Sequence, residues 1–376
     1  MIERLVTGSI LNDYKKGKVI ILLGPRQVGK TTLLEKLKEG NKNVLSINCD
    51  DRDDARLLEG KSSAELRQLL SPYDLVAVDE AQRVENIGLT IKMIGDLKLK
   101  AQVVVTGSSS LDMSSKINEP ATGRTIEYQL FPFSLPELAK NHGERNEQNL
   151  LESRMIYGLY PEVVNEPQDA KRTLINLADK YLYKDLFSFK GIRKPELVEN
   201  LVRALALQVG NEVSYNELSD TLGVDKTTVE NYIGLLEKCF VVFRLGSFSR
   251  NKRDEIKKGK KIYFYDNGIR NAVIRNFAPL DLRNDTGALW ENLMVSERFK
   301  HNSYSMNYAN IYFWRTHSRK EIDLVEERDG LLSTYEFKWK PSKKASIPKD
   351  FSESYPNSSF TVITPDNLWP FLESPL

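Results

Sequence analysis

Residues 24–31 read Gly-Pro-Arg-Gln-Val-Gly-Lys-Thr, and no other stretch constrains the fold of this chain as strongly. The stretch has the form G-x-x-x-x-G-K-[ST], follows the apolar run Val19–Leu23 and precedes a segment with helical spacing that starts at Thr32. A strand, a loop and a helix are therefore predicted in that order. The two glycines let the backbone wrap around an anion, whose charge is met by loop N–H groups and the helix N-terminus. The sequence thus predicts a polyphosphate-binding loop.

Each position of this loop has an expected task. Lys30 is expected to reach the β- and γ-phosphates as a catalytic group, and the Thr31 hydroxyl to ligate Mg²⁺. A glycine-containing turn that matches by chance is the alternative, and the strand before and helix after the loop disfavour it. The residues expected to contact the nucleotide are Gly24, Pro25, Arg26, Gln27, Val28, Gly29, Lys30, Thr31 and Thr32.

Two carboxylates, Asp79 and Glu80, directly follow the apolar run 75–78. Such a run is typical of a buried parallel strand, and ligands of open α/β sheets sit at the carboxyl ends of these strands. Asp79 is expected to hold Mg²⁺ through its water shell, and Glu80 to polarise the attacking water. Together with the phosphate loop, the pair predicts Mg²⁺-dependent hydrolysis of a nucleoside triphosphate.

Three further positions are candidates for contact with the γ-phosphate. Ser108 follows the strand-like run 102–106 and is the first choice, with Thr106 as the second; a serine-rich turn that caps the next helix is the alternative. Arg124 precedes the strand-like run 126–130 and is a candidate arginine finger or in-chain phosphate sensor. A solvent-facing arginine is the alternative for that position.

Several segments of the first half resemble one family. They are GPRQVGKTTLL, LVAVDEAQ, VVVTGSSS, ATGR and LFPFSLPEL, joined by the turn at 157–162, where Leu159 separates a Gly and a Tyr that usually abut. Together they resemble the prokaryotic AAA-type P-loop ATPases that carry a C-terminal domain of uncharacterised function. This resemblance implies a five-stranded AAA-like core, ATP and Mg²⁺.

The middle of the chain has the pattern of a winged helix. Residues 214–238 read as a helix, a Gly-centred turn and a second helix, and the strand-like runs 240–245 and 261–265 follow, joined by a long polar loop. Side chains early on a second helix of this kind reach DNA, and basic loop residues neutralise phosphates. The candidate DNA contacts are Lys226, Thr227, Thr228 and Asn231 on the helix, and Lys252, Arg253, Lys257 and Lys258 in a loop whose basic run extends to Lys261.

DNA binding is not the only interpretation of this region. Asp225 and Glu230 lie on or beside the same helix, and a lysine-rich wing is often a solvated hairpin. Winged helices in ATPases also serve as lids or protein contacts, so both alternatives stay open.

Acidic residues mark the last hundred residues. Strand alternation puts Glu336 and Lys338 on one face, Asp323 lies on a preceding strand-like run, and Glu291 lies on a helical segment. Asp323 and Glu336 are expected to bind a divalent metal, with Glu291 approaching and Lys338 steadying the hydroxide or the phosphate. The arrangement resembles the PD-(D/E)XK nuclease fold, including Holliday-junction resolvases. Residues 350–355 lack a glutamine that many active members use, so cleavage and a docking role without cleavage both stay open.

The predicted fold is α/β: an AAA-like P-loop ATPase core at 1–150, a helical linker and winged helix at 151–275, and a small α/β nuclease-like domain at 276–376. With 54 basic and 52 acidic residues, the net charge of +2 does not indicate a partner. No apolar run approaches about 18 residues and no signal peptide is recognisable, so a cytoplasmic protein without membrane contact is expected. The two cysteines, Cys49 and Cys239, are expected to be buried thiols and not a disulfide.

Two functions follow. The first is an ATPase that couples ATP binding and hydrolysis to action on double-stranded or branched DNA. The second is a nucleotide-dependent protein-interaction switch with an inactive nuclease-like docking domain. Self-association is left open, and with it the question whether Arg124 acts in its own or in a neighbouring subunit.

Overall fold

A computed structural model describes residues 2–108, 123–182, 195–249, 259–316, 318, 320–340 and 346–373. The chain divides into two compact units: Met1–Phe131 with Lys238–Phe240, and Pro132–Glu237 with Val241–Leu376. The predicted limits at residues 150 and 275 stay predictions.

A five-stranded parallel sheet forms the centre of the first unit. Its strands are β1 (Val19–Leu23), β2 (Val44–Asn48), β3 (Leu75–Asp79), β4 (Gln102–Gly107) and β5 (Thr125–Gln129), in the order β2-β3-β4-β1-β5. The central strands β1, β3 and β4 are apolar runs that are buried along almost their whole length, as expected for a parallel sheet covered on both faces. The helices of this unit are α1 (Val6–Asn12), α2 (Lys30–Lys38), α3 (Arg52–Arg56), α4 (Ser63–Leu70) and α5 (Ile87–Asp96). The five-stranded core implied by the family resemblance is present.

The strand order explains where a ligand can bind in the first unit. All five strands run in the same direction, so the phosphate loop after β1 and the carboxylates that end β3 lie at one edge of the sheet. Strand β1 lies between β4 and β5. The loop that follows β1 therefore lies at the kind of switch point where crevices form in such sheets.

Helices make up most of the second unit. They are α6 (Leu135–His142), α7 (Glu144–Asn149), α8 (Leu151–Tyr157), α9 (Pro161–Asn165), α10 (Ala170–Asn176), α11 (Pro195–Leu207), α12 (Tyr215–Leu222), α13 (Lys226–Lys238), α14 (Asn267–Val273), α15 (Thr286–Tyr304), α16 (Lys349–Ser354) and α17 (Leu368–Glu373), with a π-helical turn at Leu177–Leu182. Helix α12 ends at Gly223, whose φ of +64° is the left-handed conformation that favours glycine, and α13 follows. The pair α12 and α13 has the helix-turn-helix order expected from the sequence.

A seven-stranded mixed sheet belongs to the same unit. Its strands are β6 (Glu212–Val213), β7 (Val242–Ser247), β8 (Lys260–Phe264), β9 (Asn310–Arg315), β10 (Glu321–Arg328), β11 (Leu331–Phe337) and β12 (Ser359–Ile363), in the order β12-β11-β10-β9-β7-β8-β6. Strand β7 pairs in parallel with β9 through Gly246 and Ser247. The β7–β8 hairpin of the predicted winged helix and the strands of the predicted nuclease-like domain therefore lie in one sheet.

Helix α15 is unusual because it buries charged side chains as well as apolar ones. Arg298 is 1% exposed and contacts Glu326 at 2.8 Å, and Lys300, also 1% exposed, contacts Glu297 at 2.7 Å. Buried charges persist when they are paired and hydrogen-bonded. The same helix carries Trp290, whose indole N–H donates to the carbonyl oxygen of Ile363 at 3.3 Å, and it positions Glu291.

Both cysteines are free and buried, as predicted, and burial raises the pKa of Cys49 to about 12. In the part of the chain that the structure describes, no helix has the length and hydropathy needed to cross a membrane.

Candidate functional site

The phosphate loop has a backbone that requires its glycines. A Cβ atom at Gly24 would lie 2.1 Å from the carbonyl oxygen of Leu130, and Gly29 has a φ of +94° at the N-cap of α2. Gln27 also adopts a positive φ, of 61°. Close approach of two backbones and a left-handed conformation are the reasons why glycine stands at these two positions.

Lys30 lies inside the curve of this loop. Its side chain is buried, and the ammonium group donates to the carbonyl oxygens of Gly24 at 2.9 Å and Pro25 at 2.8 Å. These acceptors are neutral, whereas a phosphate carries the opposite charge and adds Coulomb attraction to the hydrogen bond. Phosphate oxygens can therefore compete for the ammonium group with the loop's own carbonyls.

Thr31 and Asp79, the predicted Mg²⁺ ligands, are brought together. The Thr31 hydroxyl donates to Oδ2 of Asp79 at 2.7 Å, the Thr106 hydroxyl donates to Oδ1, and the Glu80 N–H donates to Oδ1 at 3.2 Å. All three donors are neutral, so they orient the carboxylate without neutralising its charge. Mg²⁺ prefers hard oxygen ligands and retains several waters, so a hydroxyl and a carboxylate at the rim of the loop fit this ion.

Glu80 is held in place by a residue that the sequence did not single out. The Gln82 amide group donates to Oε2 of Glu80 and, at 2.9 Å, to Oγ of Ser108, while the Ser108 N–H donates to Oε1 of Gln82 at 3.4 Å. Glu80 has a φ of +52°, in the left-handed region, which costs a non-glycine residue about 1–2 kcal/mol. Gln82 thus links the candidate base to the candidate sensor. Its position in the D-E-A-Q run was the only available signal.

Arg4 is a second residue that sequence patterns could not identify. Its guanidinium group is buried and donates to the carbonyl oxygen of Val28 at 2.7 Å and to that of Phe131 at 2.6 Å. Arg4 thereby ties the phosphate loop to the chain that follows β5. The residue lies 24 positions before Val28, outside any motif.

Arg124 lies at the opposite edge of the sheet. Its carbonyl oxygen accepts from the N–H of Val19, the first residue of β1, and its guanidinium group contacts Asp96 at 2.5 Å. Because β1 and β5 run in parallel, five residues of strand separate Arg124 from the level of the phosphate loop. This position disfavours the expected role of Arg124 as an in-chain phosphate sensor, which stays a prediction.

The predicted nuclease-like residues lie on neighbouring elements of the second unit. Oδ2 of Asp323 on β10 accepts from the N–H of Phe337 on β11 at 2.8 Å, and Glu336 contacts Lys338 at 2.6 Å. Burial, and then the negative charges of Glu291 and Glu336, raise the pKa of Asp323 well above its ordinary value. The four predicted residues therefore belong to one electrostatic cluster.

A fifth member of this cluster is Lys261. Its ammonium group donates to Oε1 of Glu291 at 2.8 Å and also contacts Glu321. The sequence placed Lys261 at the end of a basic run that could neutralise DNA phosphates, but its side chain is only 1% exposed. Within the described ranges, no group of three or more acidic, histidine or cysteine side chains is arranged to hold a metal ion. The metal-binding role expected of Asp323 and Glu336 stays a prediction.

The predicted DNA contacts on α13 differ from one another. Lys226, Thr227 and Asn231 are exposed, whereas Thr228 binds Asp225, which caps the helix: the N–H and hydroxyl of Thr228 donate to the two carboxylate oxygens of Asp225 at 2.8 and 2.7 Å. Lys226 also lines a cleft of about 800 Å³ whose other charged residues are of both signs: Glu212, Glu230, Arg244, Lys260 and Arg315. The loop candidates Lys252, Arg253, Lys257 and Lys258 lie outside the described residues.

Comparison with known families assigns the first unit. Residues 16–139 match the AAA domain family. This match and the five-stranded parallel sheet support a P-loop ATPase domain of the AAA type in this part of the chain. Two families described as domains of unknown function, DUF8612 and DUF4143, match residues 148–280 and 286–371.

Similar chains occur in bacteria and archaea. An uncharacterized protein of Mycobacterium tuberculosis is 25% identical over 328 residues, which cover 86% of this chain and 70% of that protein. An uncharacterized protein of Haemophilus influenzae is 23% identical over 275 residues, covering 68% of each chain. Among solved structures, the Walker-type ATPase of Pyrococcus abyssi has a TM-score of 0.50 at 16% identity and covers 73% of this chain and 96% of its own. At that identity the likeness indicates a shared fold.

Proposed function

We propose that this protein is a Mg²⁺-dependent ATPase. The observation that carries the proposal is the contact between the Thr31 hydroxyl and the Asp79 carboxylate at 2.7 Å, next to the buried Lys30 at the carboxyl edge of a parallel sheet. In this arrangement the loop N–H groups and Lys30 bind the phosphates, and Thr31 and Asp79 hold the ion. Bound Mg²⁺ supplies charge stabilisation for phosphoryl transfer.

Glu80 is the general base of the proposed reaction, and Ser108 is the γ-phosphate sensor. The two are connected through Gln82, which donates to both side chains. A phosphate oxygen that takes up a hydrogen bond at Ser108 thereby changes the partners of Gln82 and the position of the Glu80 carboxylate. Glu80 then orients and deprotonates the attacking water.

Two substitutions separate binding from chemistry. Lys30→Ala should abolish ATP binding, measured with a fluorescent nucleotide. Glu80→Gln should leave binding unchanged and lower kcat by about 10²–10⁴-fold, the usual contribution of a general base. Lys36→Ala, on the same helix α2 but near its C-terminal end, is the matched control. Hydrolysis by Lys30→Ala at the wild-type rate would contradict the assignment.

Arg124 remains a candidate arginine finger toward a second copy of the chain. Its position, away from its own phosphate loop, supports a role in a neighbouring subunit if the protein self-associates. Mixing Lys30→Ala with Arg124→Ala tests this, since one variant keeps the arginine and the other keeps an intact loop. Restored hydrolysis in the mixture supports the role, and activity of Arg124→Ala alone at the wild-type rate excludes it.

For the second unit we propose contact with double-stranded or branched DNA through the start of α13, coupled to the ATPase cycle. The exposed Lys226, Thr227 and Asn231 favour this function, because the first turn of a second helix is where such folds contact DNA. The competing function is a nucleotide-dependent protein-interaction switch, in which the nuclease-like part serves as a docking domain without cleavage.

A salt titration of duplex and branched DNA binding distinguishes the two functions. Removing one phosphate contact with Lys226→Ala should flatten the slope of log K against log[salt] by about one unit. Lys349→Ala, an exposed lysine at the start of α16, should leave the slope unchanged. If neither DNA binds at low salt, the interaction switch is the better description.

A further inference from the structure

The nuclease-like cluster contains a cation of its own. The Lys261 ammonium group donates to Oε1 of Glu291 at 2.8 Å and contacts the Glu321 carboxylate. The Tyr263 hydroxyl donates to the same oxygen of Glu291 at 2.6 Å. Lys261 is 1% exposed, so solvent does not reach its charge. One carboxylate oxygen of Glu291 is thus occupied by two internal donors.

The other acids of the cluster also have partners within the chain. Asp323 accepts from the Phe337 N–H at 2.8 Å, and Glu336 contacts Lys338 at 2.6 Å. Divalent cations need several oxygen ligands converging at about 2.0–2.6 Å, free of competing donors. One oxygen of each of these three acids is already engaged by an N–H, O–H or ammonium group of the chain.

We infer that Lys261 takes the place of a divalent metal ion in this cluster, so that the acids of the nuclease-like domain bind an ammonium group of their own chain and neither Mg²⁺ nor Mn²⁺. A second cation among the same carboxylates would be repelled by the buried ammonium charge, and this repulsion is strong where water is excluded. Burial alone would lower the pKa of Lys261, but the charges of Glu291, Asp323 and Glu321 outweigh it and raise the pKa, so the side chain stays charged.

Because its cation is an ammonium group of the same chain, the cluster has a structural role. Lys261 on β8 contacts Glu291 on α15 and Glu321 on β10, and β8 and β10 are not neighbours in the sheet. The ion network therefore ties the strand that belongs to the predicted winged helix to the helix and strand of the predicted nuclease-like domain. Without a metal to activate water, the domain does not hydrolyse phosphodiesters.

Calorimetry with Mn²⁺ on the nucleotide-free full chain is the first test. Two proteins are compared: Asp79→Asn, which lacks the ion site of the first unit, and the double variant Asp79→Asn with Asp323→Asn. We expect no heat of binding that depends on Asp323. Mn²⁺ binding that is lost in Asp323→Asn would overturn the inference.

The second test removes the internal cation. Lys261→Ala leaves Glu291, Glu321 and Asp323 without it, so we expect Mn²⁺ to raise the Tm of this variant but not that of the wild-type chain. Adding Asp323→Asn to Lys261→Ala should remove the shift, and Lys338→Ala, which keeps Lys261, should show none. A folded Lys261→Ala chain that does not respond to Mn²⁺ would overturn the claim that Lys261 stands where a metal can bind. If Lys261→Ala does not fold even with Mn²⁺ present, the wild-type calorimetry decides alone.

Discussion

The phosphate-loop site and the Lys261 cluster both contain carboxylates and a buried lysine. They differ in the groups that contact the carboxylates. In both, carboxylates at or near the ends of β-strands lie close to a buried lysine. Asp79 is held by neutral donors, Thr31 and Thr106 among them, so its charge is left for an external ion. Glu291 is held by an ammonium group of the same chain. A carboxylate is available to a metal when the protein orients it without neutralising it.

The two buried lysines, Lys30 and Lys261, also differ in the groups that they contact. The ammonium group of Lys30 contacts carbonyl oxygens of the phosphate loop, and that of Lys261 contacts carboxylates. An incoming phosphate is a stronger acceptor than a carbonyl oxygen, so it can displace the loop's own partner. A ligand that displaced the carboxylates from Lys261 would leave its buried ammonium charge without a partner, which is costly. The first lysine therefore serves binding, and the second serves structure.

The largest expected effect separates the two aspartates. Asp79→Asn should lower kcat for ATP by about 10³-fold or more, since a bound metal contributes several kcal/mol to the stabilisation of the transition state. Asp323→Asn, the same chemical change in the other cluster, should leave kcat within about twofold, because Asp323 is not a proposed ligand of the ion that binds with ATP. Phosphate release at saturating ATP measures both. A comparable loss of kcat in the two variants would contradict the proposed difference between the two sites.

Removal of the Lys261 charge should have the next largest effect. Lys261→Met should lower the free energy of unfolding by about 3–5 kcal/mol, because breaking a buried ion pair leaves an uncompensated charge. Lys338→Met, which removes a partly exposed partner of Glu336, should cost about 1 kcal/mol or less. Urea unfolding measures the difference. Equal costs for the two variants would mean that Lys261 is not the central cation.

A smaller effect is expected from Arg4, which acts on the phosphate loop through its backbone. Arg4→Ala removes the donor to the carbonyl oxygen of Val28, so the loop should lose its fixed conformation and the Kd for ATP should rise about tenfold, or 1.4 kcal/mol. Arg83→Ala, an exposed arginine of the same unit, is the control. Nucleotide titration provides the measurement, and an unchanged Kd in a folded Arg4→Ala chain would show that the loop does not depend on this contact.

The smallest expected effect is a dependence of stability on pH. Burial raises the folded-state pKa of Asp323 above its ordinary value of 3.8, so its contribution to stability is full below that pH and is lost as the pH rises through the folded pKa. Asparagine does not ionise, so the Tm of Asp323→Asn relative to that of the wild-type chain should rise as the pH is raised from 5 to 8. A constant difference in Tm across this range would argue against a raised pKa of Asp323.

The sequence was sufficient to predict features that depend on residues close together in the chain. The phosphate loop, the apolar strands and the paired carboxylates after β3 are local patterns, and glycine spacing and strand composition carry their physical meaning without knowledge of the rest of the chain. The family resemblance added the five-stranded core, which the strand order confirms. The DNA contacts, the limits of the domains and the sensor role of Ser108 stay predictions.

Only the tertiary structure decided which distant side chains meet. Parallel pairing of β1 and β5 put Arg124 at the edge opposite the phosphate loop, and the position of β8 buried Lys261 among acids although its sequence neighbours are basic. Arg4 and Gln82 likewise acquire their contacts from the folded chain. The physical reason is that a charged side chain has the same composition in water and in the interior, while its effect depends on which charges lie within a few ångströms once water is removed. The sequence determines which charged side chains are present, and the packing of sheets and helices determines which of them lie close together.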